Sequence, residues 1–197
     1  MARKRDPESR EKILDVAARL FDARGVHAVG MQQIIDEIGC GKALLYSEFA
    51  TKDDLVVAYL ERYREGFAAM LAQARARCPD DPAGQIVALV GLVAECSLRP
   101  GFRGCSVRNA HAEFPDETHP ARRIAIEHYD YVHGRLMDLA RNAGAPDPRT
   151  LADRIMLIVD GLHSNAAARG HDGAAPAATA FAEDVVRSAL RPLSHGQ

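Results

Sequence analysis

The chain has 197 residues, of which 47% are hydrophobic and 26% charged, and its formal net charge is −2. These values suit one or two globular domains, and the near-neutral charge gives no bulk signal for nucleic-acid binding. The basic run Arg3, Lys4 and Arg5 is a local exception. The most apolar run, 86–94, is too short to cross a bilayer. We therefore expect no membrane partner and, in the absence of a signal-peptide pattern, a cytoplasmic location.

The histidines and cysteines show no metal-ligand spacing. Two metal ligands on one helix normally lie three or four residues apart. The sequence contains no HxxH or HxxxH motif, and it contains no CxxC pair. His128 and His133 are five apart and therefore diverge. We expect no metal and no cofactor, and in a reducing cytosol we expect thiols rather than disulfides. The cysteines are Cys40, Cys78, Cys96 and Cys105.

Hydrophobic periodicity in the first third predicts four helices. Asp6 and Pro7 begin the first, and Gly25 ends it. Two short helices follow, over about 31–38 and 42–49. Thr51 to Asp54 resemble a capping box, which begins a long helix reaching about Arg77.

The remaining two thirds also read as helices, so the predicted fold class is all-α. Pro and Gly residues separate them. The helix over about 149–169 is apolar over a wide arc and must therefore be buried on two sides. We expect a second subunit to cover one of them. The predicted ranges are about 82–98, 104–113, 120–143 and 149–169, with a last helix after Gly173.

Three helices within 50 residues, with a Gly-centred turn between the second and third, are what a helix-turn-helix requires. The turn must be tight, so that the third helix can protrude into the major groove of DNA. Leu45 and Phe49 lie one turn apart and are expected to face the three-helix core. This leaves Lys42, Ala43, Leu44, Tyr46 and Ser47 more exposed.

Residues 10–56, REKILDVAARLFDARGVHAVGMQQIIDEIGCGKALLYSEFATKDDLV, resemble the tetracycline-repressor-like (TetR) family. The shared pattern includes Phe-x-x-x-Gly at the end of the first helix, Leu-Tyr-x-x-Phe in the third, and a Lys followed by acidic residues and Leu. The resemblance implies a DNA-binding domain at 1–51 and a ligand-sensing and dimerisation domain at 52–197. It also implies a transcriptional regulator, and not an enzyme.

The resemblance places contacts to double-stranded DNA on individual residues. Lys42, Tyr46 and Lys52 match positions that usually contact phosphates, and Leu44 matches a base-facing position where it could touch a thymine methyl group. The sequence departs from the family pattern at three places. Gly30 is a weak cap for the second helix, and the turn is Cys40-Gly41. Glu48 would repel phosphate unless it faces a cytosine amino group. The predicted DNA-binding residues are Arg3, Lys4, Arg5, Gln32, Lys42, Ala43, Leu44, Tyr46, Ser47 and Lys52.

The resemblance further implies a homodimer through about 149–192 and a cavity for a small-molecule effector in the second domain. Two recognition helices related by a two-fold axis predict a near-palindromic operator. Ligand sites are mostly apolar with a few polar groups. The candidate effector-binding residues are Phe67, Met70, Leu71, Val93, Phe102, Cys105, Asn109, Tyr129 and Ile158.

Cys105 has two interpretations. It lies near a predicted helix N-terminus with Arg103 and Arg108 close in sequence, and both features favour a reactive thiolate. Its Gly-Cys setting resembles that of a subset of the family that senses electrophiles or oxidants, and Asn109 lies one turn further on. The alternative is that Cys105 is a small buried side chain and Asn109 a structural hydrogen-bonding residue.

Two other classes of function compete with a regulator. An enzyme is disfavoured, because Cys105 and His111 are six residues apart and cannot pair as nucleophile and base on one helix. A helical protein–protein interaction module with weak or no DNA binding is the main alternative to a regulator. The expected mechanism of a regulator is a population shift, in which the effector favours a state with a different spacing of the recognition helices.

Overall fold

The computed structural model describes residues 7–191, apart from the side chains of residues 7 and 171. This range contains helices and no strand, which confirms the all-α class. Arg3, Lys4, Arg5 and the predicted cap Asp6 lie outside the described residues. The α-helices are α1 (Pro7–Arg24), α2 (Met31–Ile38), α3 (Lys42–Glu48), α4 (Lys52–Arg77), α5 (Pro82–Ser97), α6 (Ser106–Glu113), α7 (Pro120–Asn142), α8 (Pro148–Arg169) and α9 (Ala178–Ala189), and short 3-10 helices cover Gly170–Asp172 and Ala175–Ala177.

Local capping residues explain where several helices begin. Before α4, Asp54 Oδ2 accepts hydrogen bonds from the Thr51 N–H and hydroxyl, at 2.9 and 2.8 Å, while the Asp54 N–H donates to Thr51 Oγ1 at 3.1 Å. This reciprocal pairing is the predicted capping box. Asp81 caps α5 and Asp147 caps α8 in the simpler way, each accepting a backbone N–H three residues on.

Described residues up to Glu65, together with Cys105–Glu127, form one compact unit, unit 1. Its core joins α1, α2, α3 and the first part of α4 with α6 and the start of α7. The predicted domain boundary at 51/52 differs from this division. The reason is that α6 buries Val107, Ala110 and Phe114 in the core of unit 1, although α6 lies far along the chain.

Unit 2 comprises Gly66–Gly104 and the described residues from His128 onward. In it α5 packs against α8 and α9, which also pack against each other. The apolar run 86–94 forms the centre of this packing, since Ile86, Leu89 and Val90 are at most 1% exposed. The most hydrophobic part of the sequence is therefore the core of a helical bundle.

A partly buried polar network lies in unit 1. The Tyr59 hydroxyl donates to Asp22 Oδ1, and Ser106 Oγ donates to the same oxygen at 2.8 Å. The side chain of Tyr63 is hydrogen-bonded to Cys105. Burial raises the pKa of both Tyr59 and Tyr63, and the Asp22 carboxylate adds to this effect, because a second negative charge nearby disfavours a phenolate.

This network predicts a loss of stability at alkaline pH. A raised folded-state pKa means that the tyrosines stabilise the protein fully below their ordinary pKa of about 10, and that the free energy of unfolding falls as pH rises above it. Ultraviolet absorbance should show Tyr59 and Tyr63 ionising only on unfolding. Tyr59→Phe should reduce the slope of unfolding free energy against pH by about 1.4 kcal/mol per unit, whereas the exposed control Tyr131→Phe should not. An unchanged slope in Tyr59→Phe would contradict the prediction.

Candidate nucleic-acid interface

Helix α3 presents one buried and one exposed face, as its sequence predicts. Leu45 is 0% exposed and Phe49, just after the helix, is 1% exposed. Both lie in the unit 1 core with residues of α1 and α2. On the opposite face Lys42, Ala43, Tyr46 and Ser47 are exposed, and Leu44 is half-buried.

The turn before α3 is tight. Gly39 ends α2 in the left-handed region (φ 70°), and its N–H donates to the Ile35 carbonyl, a conformation that glycine adopts at little cost. Gly41 occupies the N-cap position of α3 and supplies no side-chain cap. Gly30 likewise precedes α2 without a side-chain hydrogen bond, which agrees with the prediction of a weak cap.

The predicted DNA-binding side chains on α2 and α3 lie on the surface of unit 1, and several of them make local contacts. Lys42 Nζ lies 5.6 Å from the ring centroid of Tyr46, an arrangement that orients the ammonium through a cation–π interaction. Ser47 Oγ donates to the Leu44 carbonyl at 2.7 Å, and Gln32 Nε2 donates to Asp36 Oδ1 at 2.8 Å. Both side chains retain an oxygen that can accept a hydrogen bond.

Lys52 is the first residue of α4, directly after α3 and its turn. Burial lowers the pKa of its ammonium, while the carboxylates of Glu113 and Asp53 oppose this change by attraction. A lysine is unfavourable beside the positive end of a helix dipole. The same helix end is well suited to a phosphate, which is the partner that the sequence predicts for Lys52.

Glu48 does not face the interface. The alternatives drawn from the sequence, that Glu48 repels phosphate or faces a cytosine amino group, both require an exposed carboxylate, but Glu48 is only 6% exposed and its Oε2 has no hydrogen-bond partner among the described residues. Arg10 closes this end of α3, a role that the sequence analysis missed. Its Nη1 donates to the Glu48 main-chain carbonyl at 2.9 Å, and its guanidinium lies 4.1 Å from the centroid of the Phe49 ring.

The nine predicted effector-binding residues are divided between the two units. Cys105 and Asn109 belong to unit 1, where Cys105 is the N-cap of α6 and is 6% exposed, while Asn109 is exposed. Val93 is buried in the core of unit 2. The other six also belong to unit 2 and are Phe67, Met70, Leu71, Phe102, Tyr129 and Ile158.

His128 is a buried polar side chain in unit 2 that the sequence analysis considered only as a metal ligand. It is 5% exposed, and its ring meets that of Phe67 edge-on, with centroids 5.3 Å apart. Its position between Ala125 and Val132 on the apolar stripe of α7 was the available signal. Within the described range no cluster of three histidine, cysteine or acidic side chains has metal-site geometry.

An open groove with a volume of about 520 Å³ lies between α8 and α9 in unit 2. Leu157 on α8 is 72% exposed and Phe181 on α9 is 58% exposed, which is unusual for large apolar side chains. Ile158, predicted to bind an effector, also lines this groove. The lining residues are Arg154, Leu157, Ile158, Phe181, Asp184, Val185 and Ser188.

The three N-terminal helices, with α3 exposed after a tight turn, define a helix-turn-helix DNA-binding protein. Residues 13–59 match the model of the family described as bacterial regulatory proteins, tetR family. The crystal structure of SCO4454, a TetR-family transcriptional regulator from Streptomyces coelicolor, is similar with a TM-score of 0.88 and 30% identity, covering 93% of this chain and 97% of that one. This chain belongs to the TetR family of transcriptional regulators.

Two sequence relatives extend the comparison. The HTH-type transcriptional regulator LmrA of Bacillus subtilis is 29% identical over 143 residues, which are 72% of this chain and 76% of LmrA. The HTH-type transcriptional activator FasR of Mycolicibacterium smegmatis is 37% identical over 67 residues, or 34% of this chain and 31% of FasR. Members of the family are regulators and not enzymes. Among the described residues, no helix has the length and apolar character needed to span a membrane.

Proposed function

We propose that this protein is a transcriptional repressor that binds a near-palindromic operator as a homodimer and is released by a small apolar or electrophilic effector in the cytoplasm. The observation that carries this proposal is the exposed face of α3, where Lys42, Tyr46 and Ser47 project from a helix fixed by the buried Leu45. Major-groove readers present such a face to base edges and phosphates.

The proposed homodimer uses α8 and α9, within the predicted range 149–192. Leu157 and Phe181 expose large apolar surface beside the α8–α9 groove, and surface of this kind is the usual centre of a subunit interface. The charged Arg154 and Asp184 at the same groove would pair across a two-fold axis. In such a dimer Ile158 contacts the partner subunit, and we assign it to this interface in preference to the effector site.

The proposed effector site lies in unit 2, where Phe67, Met70, Leu71, Phe102 and Tyr129 combine apolar and aromatic surface. The buried His128 ring beside Phe67 supplies a polar group of the kind that orients a ligand in an apolar pocket. An effector releases DNA only if it binds the state with the wrong spacing of recognition helices more tightly than the DNA-bound state.

The experiment that tests DNA binding is a titration at several salt concentrations with the DNA upstream of the protein's own gene and an unrelated duplex. Each phosphate contact contributes close to one unit to the slope of log affinity against log salt. Lys42→Ala should therefore weaken binding to all sequences and lower the slope by about one. Arg75→Ala, which removes one exposed positive charge from unit 2, is the matched control and should leave the slope unchanged.

Two results would contradict the proposal. If no duplex from the promoter or a random-sequence pool binds more tightly than unrelated DNA, then the alternative of a helical interaction module replaces the regulator. If Lys42→Ala and Arg75→Ala change the slope equally, the exposed face of α3 is not the DNA-binding surface. Transcription from the bound promoter in the presence of the protein distinguishes repression from activation.

A covalent effector is a specific form of this proposal. N-ethylmaleimide adds a thiol S–H across its double bond, and none of the four cysteines is in a disulfide. Loss of operator binding in the wild-type protein but not in Cys105→Ser would establish Cys105 as the sensor. Loss in both would assign the effect to Cys40, Cys78 or Cys96. The burial of Cys105 and its hydrogen bond with Tyr63 favour slow reaction and a mainly non-covalent effector.

A further inference from the structure

A single carboxylate in unit 1 contacts the turn that leads into the helix-turn-helix. Glu113 is the last residue of α6, and its Oε2 accepts a hydrogen bond from the His27 backbone N–H at 2.8 Å. The Glu113 carbonyl lies 2.8 Å from His27 Nε2, and since a carbonyl only accepts, the imidazole donates. Residues 86 apart in sequence are thus joined at two points.

Gly25 permits this approach. A Cβ at that position would lie 3.1 Å from Glu113 Oε1, which is tighter than nine in ten real contacts of this kind. Gly25 also has a φ of 86°, a value that side-chain-bearing residues rarely adopt. The chain therefore leaves space beside the α1–α2 turn, and the Glu113 carboxylate fills it.

The charge of the same carboxylate also acts on the start of α4. Its charge attracts the Lys52 ammonium strongly enough to oppose the effect of burial on that lysine. A negative charge in the last turn of α6 is unfavourable with the helix dipole, so its position is explained by these partners and not by α6 itself. The Glu113 carboxylate therefore accepts a hydrogen bond from the turn before α2 and also attracts Lys52, which follows α3.

An aromatic stack reinforces the link. Phe114, which follows Glu113, is 7% exposed and lies between two imidazoles. The ring centroids of His27 and Phe114 are 4.8 Å apart, and those of Phe114 and His119 are 4.2 Å apart and nearly parallel. His119 Nε2 in turn lies 3.4 Å from Asp53 Oδ2, in the first turn of α4.

We propose that Glu113 is a positioning residue for DNA binding: through its hydrogen bonds with His27 it holds the α1–α2 turn, and with it α2 and α3, in the position from which α3 and Lys52 bind DNA. This inference rests on the proposed function, since it takes α3 and Lys52 as the DNA-contacting elements. Glu113 acts through the length of its side chain, although its negative charge disfavours DNA binding. The predicted effect of a variant therefore depends on the length of the side chain more than on its charge.

The test compares Glu113→Asp, which keeps the charge but shortens the reach, with Glu113→Gln, which keeps the reach and an acceptor oxygen. On the operator duplex found with the wild-type protein, Glu113→Asp should bind about tenfold more weakly. Glu113→Gln should bind within about twofold of the wild type, since removing a negative charge near DNA favours association. Glu117→Gln, four residues on and exposed, is the control for charge alone and should also remain within about twofold.

His27→Ala is the second variant, chosen because His27 is exposed and its replacement keeps the backbone N–H that Glu113 binds. It should weaken operator binding about fivefold, and amide hydrogen exchange at residue 27 should accelerate in Glu113→Asp but not in Glu113→Gln. Equal affinity of Glu113→Asp, His27→Ala and the wild type would overturn the inference while leaving the proposed function intact. Failure of the wild-type protein itself to bind any duplex specifically would overturn the proposed function and this inference with it.

Discussion

Leu157→Asp is expected to convert the dimer into a monomer and to abolish tight operator binding. Leu157 is 72% exposed on α8, so aspartate at this position is solvated in a monomer but buried in the proposed interface. Burying a leucine side chain contributes about 1.5–3 kcal/mol, and burying an unpaired carboxylate costs several kcal/mol more. The dimer dissociation constant should therefore rise at least about a hundredfold.

The consequence for DNA binding follows from symmetry. A dimer engages two half-sites at once, and the second contact is intramolecular, so its loss lowers the observed affinity by about two orders of magnitude. Light scattering after size-exclusion chromatography gives the mass, and a titration with the operator gives the affinity. Phe181→Asp on α9 should have the same effect as Leu157→Asp, because both residues line one groove.

Ile126→Asp is the matched control. Ile126 is 42% exposed on α7, in unit 1 and outside α8 and α9. It carries the same change from a branched aliphatic side chain to a carboxylate, and it should leave both the mass and the affinity unchanged. Dimers that persist in Leu157→Asp and Phe181→Asp would show that another surface joins the subunits, and dissociation caused by Ile126→Asp would identify that surface.

Features coded by neighbouring residues were predictable from the sequence. Asp81-Pro82 and Asp147-Pro148 each combine a capping side chain with a residue suited to the first helical position, and α5 and α8 begin there. The reciprocal bonds of Thr51 and Asp54 follow from their spacing. Such signals act within one turn, so they require no knowledge of the tertiary fold.

Features that depend on contacts distant in sequence were not predictable. The membership of α6 in unit 1 follows from the burial of Val107 and Phe114 in a core made mostly by the first 60 residues. The contact of Glu113 with His27 joins the end of α6 to the α1–α2 turn, and no periodicity relates these two segments. The family resemblance places Glu48 on the DNA-facing side of α3. In the structure Arg10 of α1 contacts the Glu48 backbone, and the Glu48 side chain is buried.

The two adjacent leucines of α3 are expected to give opposite results on replacement by alanine. Leu45 is 0% exposed in the unit 1 core, so Leu45→Ala should lower the free energy of unfolding by about 2–5 kcal/mol through lost burial and a residual cavity. Leu44 is half-buried on the outer side, and Leu44→Ala should lower it by less than about 1 kcal/mol. Urea denaturation measures both values.

DNA chemistry then tests what Leu44 does. An apolar side chain reads thymine through its 5-methyl group, and uracil in place of thymine removes only that methyl. At the base pair that Leu44 contacts, this replacement should weaken wild-type binding about fourfold, the equivalent of one methyl group of about 0.8 kcal/mol. Leu44→Ala should be insensitive to the same replacement, because the contact is already absent.

The pair of leucines discriminates between orientations of α3 because Leu45 is 0% exposed in the core while Leu44 is half-buried on the outer side. Adjacent positions on a helix do not share a face, since side chains align every three or four residues. If Leu44→Ala destabilises the protein as much as Leu45→Ala does, then α3 is rotated about its own axis from the orientation described above, and Tyr46 does not face DNA. If the wild-type protein is indifferent to uracil at every thymine of the operator, Leu44 reads no base, and specificity resides in the polar side chains of α3 and in the shape of the DNA.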